Sequence, residues 1–239
     1  MGFFDFMNRQ GGGAGFQPFA DEAAGGTRIV HRLLEVPAAD RNAAWSGLFL
    51  AHVADAAFFP RETEVVRGTG SFPYLALYST PGAQSYPSHV IHHLKDDVLL
   101  ERGLGVVVNP RGDDADWAFS YGDILQYHLH GRFYPPPEED VPGPASALAP
   151  EARLPAPARK VLREFLGRLG VAAPGMRFSA WDHAGPGSLE LVFAFSPRDF
   201  SSLEAFQFAM NSLSWFLPKN YSYSVAGNQA RAEGAFQPL

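Results

Sequence analysis

Residues 87–110 read PSHVIHHLKDDVLLERGLGVVVNP. Val90, Ile91, Leu94 and Val98 recur at helical spacing, with His89, His92, His93 and Asp96 on the opposite face. Ser88 stands at the N-cap of this helix and Gly103 just past its end. GLGVVVNP is then short and wholly apolar, the pattern of a strand buried on both faces. A strand reached through a helix runs parallel to the strand before it, by a right-handed crossover. That earlier strand lies in TEVVRGTGSFPYLALYST, residues 63–80, which reads as two strands around Gly68-Thr69-Gly70. The expectation is therefore a small mixed sheet of the α+β class.

Reading outward, ADRNAAWSGLFLAHVADAAFF, residues 39–59, predicts a helix capped by Asp40 and ended by Pro60. Trp45, Leu48, Phe49, His52, Val53 and Ala56 form its apolar face. DWAFS follows the buried strand as another strand. SYGDILQYHLHG then reads as a helix, with Ser120 and Asp123 at capping-box spacing. Beyond the proline-rich stretch 134–157, PARKVLREFLGRLG predicts a helix with Val161, Leu162, Phe165 and Leu169 on one face and Gly170 at its end. MRFSAW and SLELVFAF are strands joined by DHAGPG. SSLEAFQFAMNSLSWFLPKN is a helix with Ser201 and Glu204 as a capping box, an apolar stripe of Phe206, Met210, Leu213 and Leu217, and Pro218 as its stop. YSYSVAG alternates as a strand does.

Both halves thus share the order helix, strand, strand, helix, strand. A shift of about 117 residues lays Trp45 on Leu162, YLALYS on LVFAFS and GVVV on SYSV. Two similar α+β modules are expected, each a small mixed sheet with helices packed on one face. The boundaries are a flexible arm at 1–26, a first module at 27–133, a linker at 134–157, a second module at 158–227 and a loose tail at 228–239.

The stretch FPYLALYST…DDVLLERGLGVVVNP resembles the N-terminal domain of the enhanced-serine-sensitivity (SseB) family, over roughly residues 72–130. Tyr78-Ser79-Thr80 would stand at that family's hydroxyl-bearing strand end, and Gly103 to Pro110 at its glycine-leucine to asparagine-proline strand. The resemblance implies a second, related C-terminal domain and supplies no established catalytic residues to carry over.

The 239 residues carry 46% hydrophobic and 18% charged side chains, twenty phenylalanines and a net charge of −6. Such a chain can bury a large core. Its acidic balance and lack of a basic run argue against nucleic-acid binding, which phosphate contacts dominate. The absence of cysteine excludes disulfides, thiolate nucleophiles and cysteine-based zinc sites. There is no secretory pattern and no apolar run of membrane-spanning length, so a bacterial-type cytoplasmic protein without membrane association is expected.

His89 and His93, one helical turn apart, have spacing that can ligate a divalent metal such as zinc, with Asp96 adding an oxygen. A solvated helix face gives the same arrangement. His128 and His130 bracket Leu129 and point different ways from a helix, which makes them poor co-ligands. The aspartates of NPRGDDADW read as turn formers. There is no nucleophile elbow, phosphate loop or His-Glu-x-x-His motif. The expectation is a non-catalytic protein, with no resident cofactor, that acts through contact with a protein partner or a second copy of itself. Phe3, Phe4, Phe6, Tyr134, Tyr221 and Tyr223 are the candidate contact residues. Metal chemistry at His89/His93 and a small molecule held between the modules are the alternatives.

Overall fold

A computed structural model describes residues 22–61, 65–83, 86–134, 150–180, 189–226 and 236–239. Its first half holds α1 (Glu22–Leu34), α2 (Ala43–His52), β1 (Ala57–Phe58), β2 (Val65–Arg67), β3 (Pro73–Leu77), β4 (His89–Val90), α3 (Ile91–Leu94), β5 (Gly105–Val108), β6 (Trp117–Phe119) and α4 (Tyr121–His130). Its second half holds α5 (Ala156–Arg168), β7 (Gly175–Ala180), β8 (Leu189–Phe193), α6 (Leu203–Phe216), β9 (Ser222–Val225) and β10 (Gln237–Pro238). The class is α+β, as the sequence predicts.

The first sheet has the order β2-β3-β5-β6 and the second β10-β7-β8-β9. In each, an antiparallel pair (β2 with β3, β7 with β8) is followed by a strand parallel to the second member (β5 to β3, β9 to β8). Each parallel step passes through a helical segment, because parallel neighbours need a crossover. In the first sheet the crossover is α3, which runs on as π-helical turns over Lys95–Leu100. The expected helix over 88–102 therefore differs at its start. His89 and Val90 pair with Phe58 and Ala57 instead, and Val90, not Ser88, sits at the N-cap, with no side-chain cap bond. Gly103 follows with φ +66°, and a Cβ there would lie 2.8 Å from Val161 Cγ1, so glycine is required on two grounds.

All four residues of β5 are buried. Leu75, Leu77, Val106 and Val108 share one face of the sheet with Phe119, which stacks on Phe49 of α2 at 6.4 Å. Trp45 and Phe49 are the buried residues of α2, followed by Val53 and Ala56, whereas Leu48 is 46% exposed and lies off the expected apolar face. The cap of α2 is Asn42, whose side chain accepts from Trp45 N at 3.0 Å. Asp40 ends a short 3-10 turn instead, because the amide aligned with a cap oxygen lies three residues on.

Helix α1 overlaps the expected flexible arm. Gly25 and Gly26 lower its intrinsic propensity by about 1 kcal/mol each. Packing overrides this: Val30 is fully buried, Thr27 Oγ1 accepts from Ala57 N, and His31 Nε2 donates to the Ala57 carbonyl at 3.0 Å. Trp45 Nε1 also donates to the Leu33 carbonyl at 2.8 Å.

In the second half, Ser202 caps α6 by accepting from Ala205 N, in place of the expected Ser201. Leu213 and Leu217 of the predicted stripe are buried, while Phe206 and Met210 are partly so. Within the expected linker, Leu154 is fully buried and α5 starts at Ala156, while residues 135–149 lie outside the described ones. The DHAGPG turn and most of the expected loose tail also lie outside them. The last four residues do not fit a loose tail: Gln237 and Pro238 pair with Met176 and Gly175, and Leu239 is buried.

The halves meet through aromatic rings. Trp215 Nε1 donates to the Tyr74 hydroxyl at 2.6 Å, Phe72 stacks on Trp215 at 4.5 Å, and Tyr121 and Phe216 complete the group. Backbone packs equally closely: a Cβ on Gly122 would lie 2.0 Å from the Leu217 carbonyl oxygen. One buried apolar cluster includes residues of both sheets.

Candidate functional site

The densest polar arrangement lies at the C-terminal ends of the parallel strands β3 and β5. The chain leaves β5 through Asn109, held at φ +49°. That turn presents its side-chain amide to three partners. Oδ1 accepts from Ser79 N at 2.8 Å, and Nδ2 donates to Ser79 Oγ at 3.0 Å and to Asp116 Oδ2 at 2.8 Å. Asp116 is nearly buried, its side chain 5% exposed. Its Oδ1 takes Arg41 Nη2 at 2.8 Å and also Arg111 Nη2. Arg41 spends its other donors on the carbonyls of Val36, Leu34 and Asp116. Burial alone would raise the Asp116 carboxyl, but bonds from Arg41 and Asn109 and the charges of Arg111 and Arg41 outweigh it and hold it below the usual carboxylate range. This network ties the segment between α1 and α2 to the sheet, and every donor just named is satisfied within the chain.

A second cluster joins α3 and its π-helical extension to α4. His92 Nδ1 and the Tyr127 hydroxyl share a hydrogen bond of 2.8 Å, and the His92 and His93 rings meet edge-on at 5.8 Å. Asp96 Oδ1 pairs with His128 Nδ1 at 2.7 Å and Oδ2 with Lys95 Nζ at 2.9 Å. Burial tends to raise Asp96, yet the bonds from Lys95 and His128 lower it overall. Burial, helped by the charge of Asp55, pushes the Tyr127 hydroxyl up to about 12.

The three residues expected to share a metal lie on different elements. His89 is in β4, so the one-turn spacing to His93 does not apply. Its Nε2 is buried without a hydrogen-bond partner, and burial lowers its pKa. His93 is exposed on α3, and Asp96 is engaged by His128 and Lys95. Among the described residues, no group of three or more His, Asp or Glu side chains is placed to hold a metal ion.

Of the expected contact residues, Tyr134 is exposed, with Lys219 Nζ 4.7 Å over its ring and 3.3 Å from its hydroxyl. Lys219 also lies 3.1 Å from Asp123 Oδ1, while Asp123 Oδ2 closes the capping box on Ser120. The Tyr221 hydroxyl donates inward to the Arg153 carbonyl at 2.8 Å, and burial pushes it up to about 12. Tyr223 is half-buried in β9, opposite Leu191. Phe3, Phe4 and Phe6 lie outside the described residues.

Asp116 and Arg153 are the buried charged residues that sequence reasoning passed over. The Asn-Pro at the end of a buried strand was a signal for the first, since it marks a turn with a side chain available to bind across it. Nothing in the local pattern distinguishes Arg153. Among the described residues, Leu48, Val65, Tyr134, Leu203 and Phe208 are the exposed large apolar side chains, and two of them, Leu203 at 57% and Phe208 at 44%, are on α6. No described helix is long and apolar enough to cross a membrane. No family model, no curated protein and no solved structure matches the chain.

Proposed function

We propose that this chain is a non-catalytic binding protein that works by contact with another protein, and that the outer side of α6 is its contact surface. The observation that carries this reading is the exposure of Leu203 and Phe208 on one helix, where most other large apolar side chains among the described residues are buried or partly buried. Glu204, Gln207, Asn211 and Ser214 are exposed on the arc between them, so the two apolar side chains flank a polar strip along the outer side of α6. Asp96, expected to add an oxygen to a metal, pairs with His128, and Asp116 and Asp123 tie elements together through Arg41 and Lys219. The resemblance of residues 72–130 to the SseB family carries over no established catalytic residue, which is compatible with the reading. The ring-filled seam between the halves lends no support to a ligand there.

The test compares wild type with a Leu203→Ser/Phe208→Ser double variant as bait in the native cell extract. Both side chains are exposed, so the variant is expected to keep the wild-type unfolding free energy within about 0.5 kcal/mol. A protein retained stoichiometrically by wild type and lost from the variant supports the reading. Equal retention by both, or none by either, counts against it.

A further inference from the structure

The last four residues of the chain, Phe236-Gln237-Pro238-Leu239, are a short strand seated on the second sheet. Gln237 and Pro238 pair antiparallel with Met176 and Gly175 of β7. Leu239 N donates to the Pro174 carbonyl at 3.0 Å, and its side chain is buried in the apolar cluster that includes Met176. Phe236 lies on the other face, where the Arg177 guanidinium stands 5.1 Å over its ring. Gly175 lets the two strands approach, since a Cβ there would lie 3.3 Å from Phe236 Cβ. In an antiparallel pair alternate residues bond inward, so the Leu239 N–H faces β7 and the Pro238 nitrogen faces away. A proline at that place loses no ladder bond and ends the sheet.

Phe-Gln-Pro followed by a large apolar residue occurs once more, as Phe16-Gln17-Pro18-Phe19. These residues lie outside the described ones. Their order supplies what the β7 edge uses: an aromatic ring for Arg177, a proline for the outward nitrogen and an apolar side chain for the place of Leu239. Glu22, the start of α1, is three residues on from Phe19, a reach of about 10 Å. The bonds that hold α1 run to Ala57 and Trp45 of the first half, whereas β7 belongs to the second. So short a tether favours the β7 of another molecule. Exchange needs no new cavity, because an incoming strand of the same pattern takes over the bonds and contacts that the tail gives up. The tail is also easily lifted: it is a chain end, with Gln237 and Pro238 exposed.

We infer that the outer edge of β7 is a docking site for residues 16–19 of a second copy of this chain, which exchange there with the C-terminal strand. Reciprocal exchange closes a dimer. This goes beyond the contact reading of α6 and stands independently of it.

The tethered tail competes at an effective concentration on the order of millimolar, so wild type at about 0.1 mM is expected to be mainly monomeric in sedimentation velocity. Leu239→Asp puts a charge in the buried position and lifts the tail. This full-length variant is expected to dimerise at least tenfold more tightly than wild type. Leu239→Asp/Phe16→Ala/Phe19→Asp keeps the edge open and disables the incoming segment. It is expected to be monomeric, yet to bind a fluorescein-labelled peptide of residues 14–21 at least tenfold more tightly than wild type does. Those results support the inference. A monomeric Leu239→Asp overturns it, as does equal association of Leu239→Asp and the triple variant. Peptide binding no tighter in the triple variant than in wild type also overturns it. Should Leu239→Asp fail to fold, Phe236→Ala, which removes the half-buried ring from Arg177, opens the edge in its place and is read in the same way.

Discussion

Asp116 shows how one buried carboxylate can hold a loop, a sheet end and an N-terminal segment together. It faces Arg41, Arg111 and Asn109 at once. Removing it leaves Arg41, only 12% exposed, without its charge partner. Asp116→Ala should therefore cost about 3 kcal/mol in urea unfolding at pH 7. Its folded pKa is depressed, so its contribution is present above pH about 4 and is lost as pH falls through the lower folded value. The gap between wild type and Asp116→Ala should accordingly narrow between pH 5 and pH 2; a gap independent of pH would remove the ionic role. His89 and His130 behave as bases whose neutral form is favoured. Burial lowers His89, and burial with the charge of Arg132 lowers His130. Their contribution is full above pH about 6.5 and declines as pH falls below it. Wild type should lose stability from pH 7.5 to 5.5, and His89→Gln should lose less; identical slopes would contradict the burial of that ring.

At the scale of elements, end chemistry decides where helices start. Ser202 and not Ser201 accepts from the amide three residues on. Ser202→Ala is expected to cost about 1 kcal/mol and Ser201→Ala less than half of that, measured by thermal unfolding of the two variants. Two adjacent serines before one apolar run satisfy the same spacing rule, so the sequence could not choose between them. Asn42 and Asp40 pose the same ambiguity for α2. Strands β3, β5 and β6 and the Ser120–Asp123 capping box of α4 were legible, since their apolar runs and turn signals are local. Helix α1 was not: two glycines hide it, and its stability comes from Trp45, Ala57 and the core rather than from its own residues. β4 was hidden for a similar reason, because His89 and Val90 continue a helical pattern and become a strand only by pairing with β1. The polar network at Asp116 and the burial of Arg153 depend on residues distant in sequence, which no spacing rule connects.

For the whole molecule, the seam of Phe72, Tyr74, Tyr121, Trp215 and Phe216 makes the two sheets depend on each other. Trp215→Ala should cost about 3–5 kcal/mol, and Tyr74→Phe, which leaves the indole N–H without its acceptor, about 1–2 kcal/mol. Wild type should unfold in guanidinium in one transition, with far-UV circular dichroism and tryptophan fluorescence coinciding. Two separated transitions would show that each sheet folds alone. Outward from this shared core, α6 exposes Leu203 and Phe208, the latter with its ring centroid still 6.3 Å from that of Phe165. The most direct measurement is in-cell photo-crosslinking with a photoreactive phenylalanine in place of Phe208, beside the same residue at exposed Leu48 on α2. The expected result is one heteromeric adduct, from position 208 and absent from position 48. Adducts of equal yield from both positions, or none from 208, would contradict a contact surface on α6.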